Sequence, residues 1–286
     1  AQPLQAVDQS GPISFFKSSR QGWFWYHDPH PPEPPSSAAS AATPSPTWAG
    51  CAPSPKIGYD FDRSADFSAY HTYAWLPGAQ QQASYFCLRN DDWQILAMDT
   101  GLHDADPGTV ISNLTYLDER ELAWQRDKIA NAGRRRTILL SHHQLFSASG
   151  GVGNTPEGKP LALNPRLHDA FADVLDQVAL WMWGHEHNLV VYDEYVGLKR
   201  GRCNGSAAVP TLVAQNPYTP DPNLVLPAGQ SSPPIMSASC RLGNNGEFYY
   251  HAYAMLTLKG KSADISYYQI PGEDAPRELI FVEQIP

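Results

Sequence analysis

Apolar and polar positions along this chain fall into three textures. Residues 1–28 are polar until they turn abruptly aromatic at Trp23-Phe24-Trp25-Tyr26. Residues 29–56 are rich in Pro, Ser and Ala and show no apolar period. Such a stretch cannot bury enough apolar surface to offset the entropy of ordering it, which predicts a linker. Strand-like character returns across 57–83, in Ile57-Gly58-Tyr59-Asp60-Phe61-Asp62 and in Tyr70-His71-Thr72-Tyr73-Ala74-Trp75.

From Ser84 to Pro286 the pattern becomes regular. A buried strand is predicted over 93–99, and a helix over 118–131 with Leu122, Ile129 and Ala130 among charges and Gly133 as its stop. A second buried strand, 136–141, ends at His142-His143. A second helix, 165–178, carries Leu167, Ala170, Phe171, Val174, Leu175 and Val178 at helical spacing. A third strand, 179–183, ends in Gly184-His185-Glu186-His187. Beyond it the clearest strands are 209–214 and a hairpin in which 248–259 pairs with 264–270 through Gly260. Strand–helix–strand–helix–strand followed by hairpins predicts an α/β layered domain with a largely parallel sheet.

Composition narrows the functional classes. Hydrophobic residues make up 42% of the 286, enough for a packed core, while 26 prolines fit the irregular stretch. The net charge of −9 arises from few lysines, and no basic stripe is present, so nucleic-acid binding is disfavoured. No apolar run approaches the roughly 18 residues that cross a membrane, and Ala1-Gln2-Pro3-Leu4-Gln5 lacks the features of a signal peptide. A cytoplasmic location is therefore expected. Cys51, Cys87, Cys203 and Cys240 are scattered without a CxxC pair, which excludes a zinc ribbon. A Cys203–Cys240 disulfide is possible, but buried thiols are expected.

The chemistry gathers at strand ends. In an open α/β sheet, functional groups collect beyond the carboxyl ends of strands. Two strands here end in histidine pairs, His142-His143 and His185-Glu186-His187. Two positions apart on an extended turn, His185 and His187 diverge, which suits two different metal ions. Gly184 permits a tight turn and a close backbone approach. Imidazole suits Zn, Fe or Mn, the last two where carboxylates complete the shell.

Ile138-Leu139-Leu140-Ser141-His142-His143-Gln144 followed by Trp183-Gly184-His185-Glu186-His187 resembles the last two motifs of calcineurin-like metallophosphoesterases. Ser84-Tyr85-Phe86-Cys87-Leu88-Arg89, Leu96-Ala97-Met98-Asp99-Thr100-Gly101 and Arg202-Cys203-Asn204-Gly205 agree with it. The resemblance covers 84–286 and implies a layered α/β sandwich of the metallophosphoesterase type, incomplete, with a β-rich C-terminal part. It also implies divalent metal ions (Mn, Fe or Zn) held by His142 and His185 on one ion and His187 on the other, with His143 in a slot that is usually not a ligand. The implied reaction is hydrolysis of a small-molecule phosphate mono- or diester by metal-activated water.

The family's first half supplies D-x-H, G-D-x-x-D and G-N-H motifs, and neither G-D-x-x-D nor G-N-H occurs in this sequence. Asp28-Pro29-His30 has the D-x-H form, but its proline and the polyproline tract beyond it fit a linker. The missing motifs predict impaired catalysis, or a non-catalytic fused or truncated structural or binding module. A sheet lacking its first strands would also expose an apolar edge open to self-association. Two N-terminal segments have resemblances of their own. Phe15-Phe16-Lys17 with Trp23-Phe24-Trp25-Tyr26-His27-Asp28-Pro29 is similar to the start of TraF-like conjugal-transfer proteins. Cys51-Ala52 with Asp60-Phe61-Asp62-Arg63 is similar to small bacterial envelope lipoproteins, with Trp48-Ala49-Gly50-Cys51 as a worn lipidation box.

Overall fold

The aromatic run Trp23-Phe24-Trp25-Tyr26 lies in strand β2 (Gly22–His27), which pairs antiparallel with β1 (Ile13–Ser18). The computed structural model describes residues 84–103, 114–207, 209–272 and 275–286, together with the backbone of these two strands. The predicted linker at 29–56 and the strand-like segment 57–83 lie outside the described residues.

Among the described residues nine further strands follow: β3 (Phe86–Arg89), β4 (Trp93–Ala97), β5 (Arg136–Leu140), β6 (Val178–Trp183), β7 (Leu189–Val191), β8 (Gly201–Asn204), β9 (His251–Lys259), β10 (Ser262–Ile270) and β11 (Glu278–Ile285). They form two sheets. A six-stranded sheet has the order β3-β4-β5-β6-β8-β7, and a five-stranded sheet has the order β11-β10-β9-β1-β2. The four central strands of the first sheet, β4, β5, β6 and β8, run parallel, while β3 and β7 pair antiparallel at its edges. The second sheet is antiparallel throughout. Its β9–β10 hairpin turns at Gly260, which takes φ +55°, and pairs Lys259 with Ser262.

Strands β4 and β6 are buried along their whole length and β5 from Thr137 onward, as expected of a parallel sheet covered on both faces. Period-two alternation divides their side chains. Leu96, Leu139, Trp181 and Trp183 face the helices and their connecting loops. Ile95, Ile138, Leu140, Leu180 and Met182 pack against Ala252, Ala254, Leu256, Ile265 and Tyr267 of the five-stranded sheet. The result is a strand-rich α/β sandwich of helices, a mixed sheet and an antiparallel sheet.

Helix α1 (Glu119–Ala130) starts at Asp118, whose carboxylate accepts the Arg120 amide; Glu119 and Glu121 lie in its first turn and Lys128 in its last. Acids at the start and a base at the end complement the helix dipole. Its buried face is Glu121, Gln125 and Ile129, two of them polar. The reason lies beyond the end of β4. Gln125 donates from Nε2 to the Ala97 carbonyl at 3.0 Å, and Glu121 Oε1 accepts the Asp99 amide at 2.9 Å. Backbone groups that leave the ladder there are satisfied by the helix instead of by water.

Two predicted elements take different forms. Helix α2 covers Pro165–Phe171 and a separate 3-10 turn covers Leu175–Gln177, where one helix over 165–178 was expected. Arg126 of α1 ends α2 by donating to the Ala170 carbonyl at 2.7 Å and gripping Asp173 with both terminal nitrogens. The segment expected as a strand at 209–214 is a single bridge, Leu212 with Phe248, followed by a 3-10 turn at Val213–Gln215.

Candidate metal centre

Ser141 and Gly184 directly follow β5 and β6. Leu140 pairs with Met182 in register, so the two adjacent parallel strands end at the same edge of the sheet. The Ser141 amide donates to the Met182 carbonyl at 3.0 Å, and the Gly184 amide donates to the His142 carbonyl at 3.1 Å. The two turns are thereby tied together, and their histidines are brought face to face.

His142, His143 and His185 converge. Each offers a ring nitrogen, and these three atoms lie within 4.8 Å of one another. His185 Nδ1 is 3.0 Å from His142 Nε2, and the His143 and His185 ring centroids are 4.5 Å apart. His187, two positions beyond His185, is exposed and stands outside this cluster; its carbonyl accepts the Thr211 hydroxyl at 2.5 Å. The described residues therefore bring together two of the three sequence-predicted ligands, with His143 as the third member.

The buried surroundings fix these rings. Thr100 Oγ1 lies 3.1 Å from His143 Nδ1 and accepts the His143 amide at 3.0 Å. Trp181 Nε1 donates to Ser141 Oγ at 2.9 Å, and Ser141 Oγ donates to the His143 carbonyl at 2.7 Å. The Thr100 hydroxyl thereby fixes the orientation of the His143 ring, as hydrogen-bonding neighbours of metal-binding histidines do. Thr100, Ser141 and Trp181 were not singled out as orienting residues from the sequence. Their one legible signal is position, since Thr100 and Ser141 follow buried strands and immediately precede or face the histidine turn.

Glu186 turns inward between its two histidines. Its carboxylate is buried, although the residue as a whole is only partly so. Oε1 accepts the Ser147 hydroxyl, and Oε2 has no hydrogen-bond partner. Burial pushes its pKa up to about 7 against the opposing pull of Ser147. Gly205 lies against the same turn. A Cβ there would enter the carbonyl oxygens of Glu186 and Gly184, so the close approach requires glycine. Its amide donates to the Asn188 carbonyl at 2.9 Å. Cys87, Cys203 and Cys240 are thiols, and the Cys203 sulfur contacts the Glu186 carbonyl at 3.3 Å.

Among the described residues, no other sequence candidate belongs to the cluster. The Asp99 carboxylate accepts the Ser84 hydroxyl. Arg134, Arg135 and Arg136 are at the opposite end of β5, about 20 Å from His142 at strand rise. Asp28, His30, Asp60 and Asp62 lie outside the described residues.

A donor set of three imidazoles fits a divalent ion of borderline softness. In a tetrahedral zinc site with Zn–N of about 2.0–2.1 Å, neighbouring nitrogens are about 3.3 Å apart. The His142–His185 pair is already near that spacing. No helix among the described residues is long and apolar enough to cross a membrane.

No family model and no curated protein sequence matches the chain. Among solved structures, GAP50, the anchor in the inner membrane complex of Plasmodium, is 12% identical with a TM-score of 0.35, over 70% of this chain and 52% of that one. Vps29 of Chaetomium thermophilum is 15% identical with a TM-score of 0.22, over 68% of this chain and 96% of that one. The chain spans about half the length of GAP50. Similarity at this level assigns no role to any residue.

Proposed function

We propose that the protein binds one divalent metal ion through His142, His143 and His185, and that its chemistry is hydrolysis of a phosphate ester. The observation that carries the reading is the convergence of three ring nitrogens within 4.8 Å at the carboxyl ends of adjacent parallel strands. The resemblance of the strand-end motifs to calcineurin-like metallophosphoesterases supports the choice of reaction. A bound divalent ion supplies polarisation of a phosphoryl oxygen and acidification of water. The chain's own residues hold and orient: His142, His143 and His185 as ligands, Thr100 and Ser141 as fixers of the His143 turn, and Gly205 as the point of close backbone approach.

Hydrolysis of bis-p-nitrophenyl phosphate by the metal-loaded full chain, lost in His185→Ala, tests this reading. A chain that binds metal without hydrolysing the ester would support a second reading, a non-catalytic module stapled by its ion. One observation favours that alternative. The cluster is made of histidines alone, and the nearby carboxylates of Asp99 and Glu186 are engaged by Ser84 and Ser147.

A further inference from the structure

At the end of the sheet opposite the histidines, a cleft of about 510 Å³ opens between the exit of α1, the start of β5 and the turn before β8. Its size is that of a small-molecule site. Arg135, Arg136, Lys199 and Arg200 line it, against a single acidic side chain, Asp176. Four cations against one acid is a local excess of positive charge in a chain whose net charge is −9. Among the described residues none of the four is in a side-chain ion pair. Glu283, whose acidity Arg200 supports, is already gripped by Arg202 through both carboxylate oxygens.

Two of the cations are also placed in advance. Arg136 donates to the Lys261 carbonyl, at 2.9 Å, and to the main-chain oxygen of Pro286, and its guanidinium lies 4.9 Å from the Trp93 ring centroid. Arg135 Nε donates to the Asn90 carbonyl at 2.6 Å. Burial, with Arg200 alongside, pulls the Arg136 pKa below its usual value, and guanidinium remains charged there. The carbonyl end of α1 offsets part of the charge, but the arginine–arginine repulsion remains. An anion between Arg136 and Arg200 would relieve it.

We infer that this cleft is a binding site for a small, multiply charged oxyanion of the phosphate class, with Arg136, Lys199 and Arg200 as its charge-bearing residues. Planar guanidinium groups match phosphate oxygens two at a time, and lysine adds a point charge. The site is separate from the histidine cluster and does not depend on the hydrolytic reading.

The test is calorimetric titration of the metal-stripped full chain with sodium tripolyphosphate, against sodium chloride of equal ionic strength. Saturable binding is expected, weakened at least tenfold in Lys199→Gln/Arg200→Gln and unchanged in His185→Ala. Lys199→Gln alone, at an exposed position, should weaken binding several-fold and covers the case in which the double variant loses its fold. No saturable binding beyond the chloride control would overturn the inference. So would binding indifferent to these substitutions, or binding abolished by His185→Ala.

Discussion

Gly205 and Glu186 meet backbone to backbone, with the α-carbon of one packed against the carbonyl oxygen of the other. The contact presses the chain leaving β8 onto the histidine turn. Gly205→Ala must displace main chain, because the atoms it meets are carbonyl oxygens and not the ends of flexible side chains. A loss of about 3 kcal/mol in urea denaturation is expected, together with weaker metal binding. A variant as stable as the wild type would show that the turn can move freely.

Arg202 of β8 and Glu283 of β11 join the two sheets through a buried pair at 2.6 Å, and Tyr267 donates to the same carboxylate. Burial alone would raise the Glu283 pKa, but Arg202 and Tyr267 outweigh it and hold the carboxyl below its ordinary value. The stability this supplies is therefore present above the ordinary carboxyl pKa and lost as pH falls through the folded one. Arg202→Met leaves a buried charge without its partner and should cost about 3–5 kcal/mol, read as a shift in denaturation midpoint at pH 7.

Glu121 behaves in the opposite sense. Burial raises its pKa from 4.5 to about 7, despite hydrogen bonds from the Asp99 amide and Gln125. Between those values the unfolded chain has released a proton that the folded chain retains, so this group's contribution falls as pH rises. At 1.36 kcal/mol per pKa unit the loss is at most about 3 kcal/mol. Glu121→Gln keeps an acceptor for the Asp99 amide and removes the titration. It should be more stable than the wild type at pH 8, with the advantage vanishing near pH 4.5. Parallel stability–pH curves would contradict the assignment.

Much of the central sheet was legible because buried parallel strands are continuous apolar runs. Trp93 to Ala97, Arg136 to Leu140 and Val178 to Trp183 fall inside or within one residue of their predicted spans. The hairpin through Gly260 was equally legible from its alternation. The misread elements are those decided by distant partners. Arg126 ends α2 from another helix, and the Leu212 segment makes one bridge where a ladder was expected. The polar buried face of α1 was invisible for the same reason, since Glu121 and Gln125 serve backbone groups beyond β4. At the site, strand-end position and the family resemblance pointed to His142, His185 and His187, of which the first two converge. Whether His143 or His187 joins them depends on the rotation of two turns, which no sequence period encodes.

Thr100 sits behind His143, with its hydroxyl shared between the ring and the amide of the same residue. Thr100→Val preserves shape and removes the polar atom. It should lower metal affinity about 10–100-fold, as loss of a supporting hydrogen bond to a ligand histidine does, with little change in the far-ultraviolet circular dichroism. An unchanged affinity would place His143 outside the coordination shell.

The central claim is that His142, His143 and His185 hold a metal ion. Metal-stripped full chain, reloaded with Zn²⁺ or Mn²⁺ and freed of excess by gel filtration, should carry about one ion per chain by elemental analysis. His142→Ala/His185→Ala, treated identically and shown to be folded, should carry close to none. Wild-type protein that retains no more metal than this double variant would contradict the account.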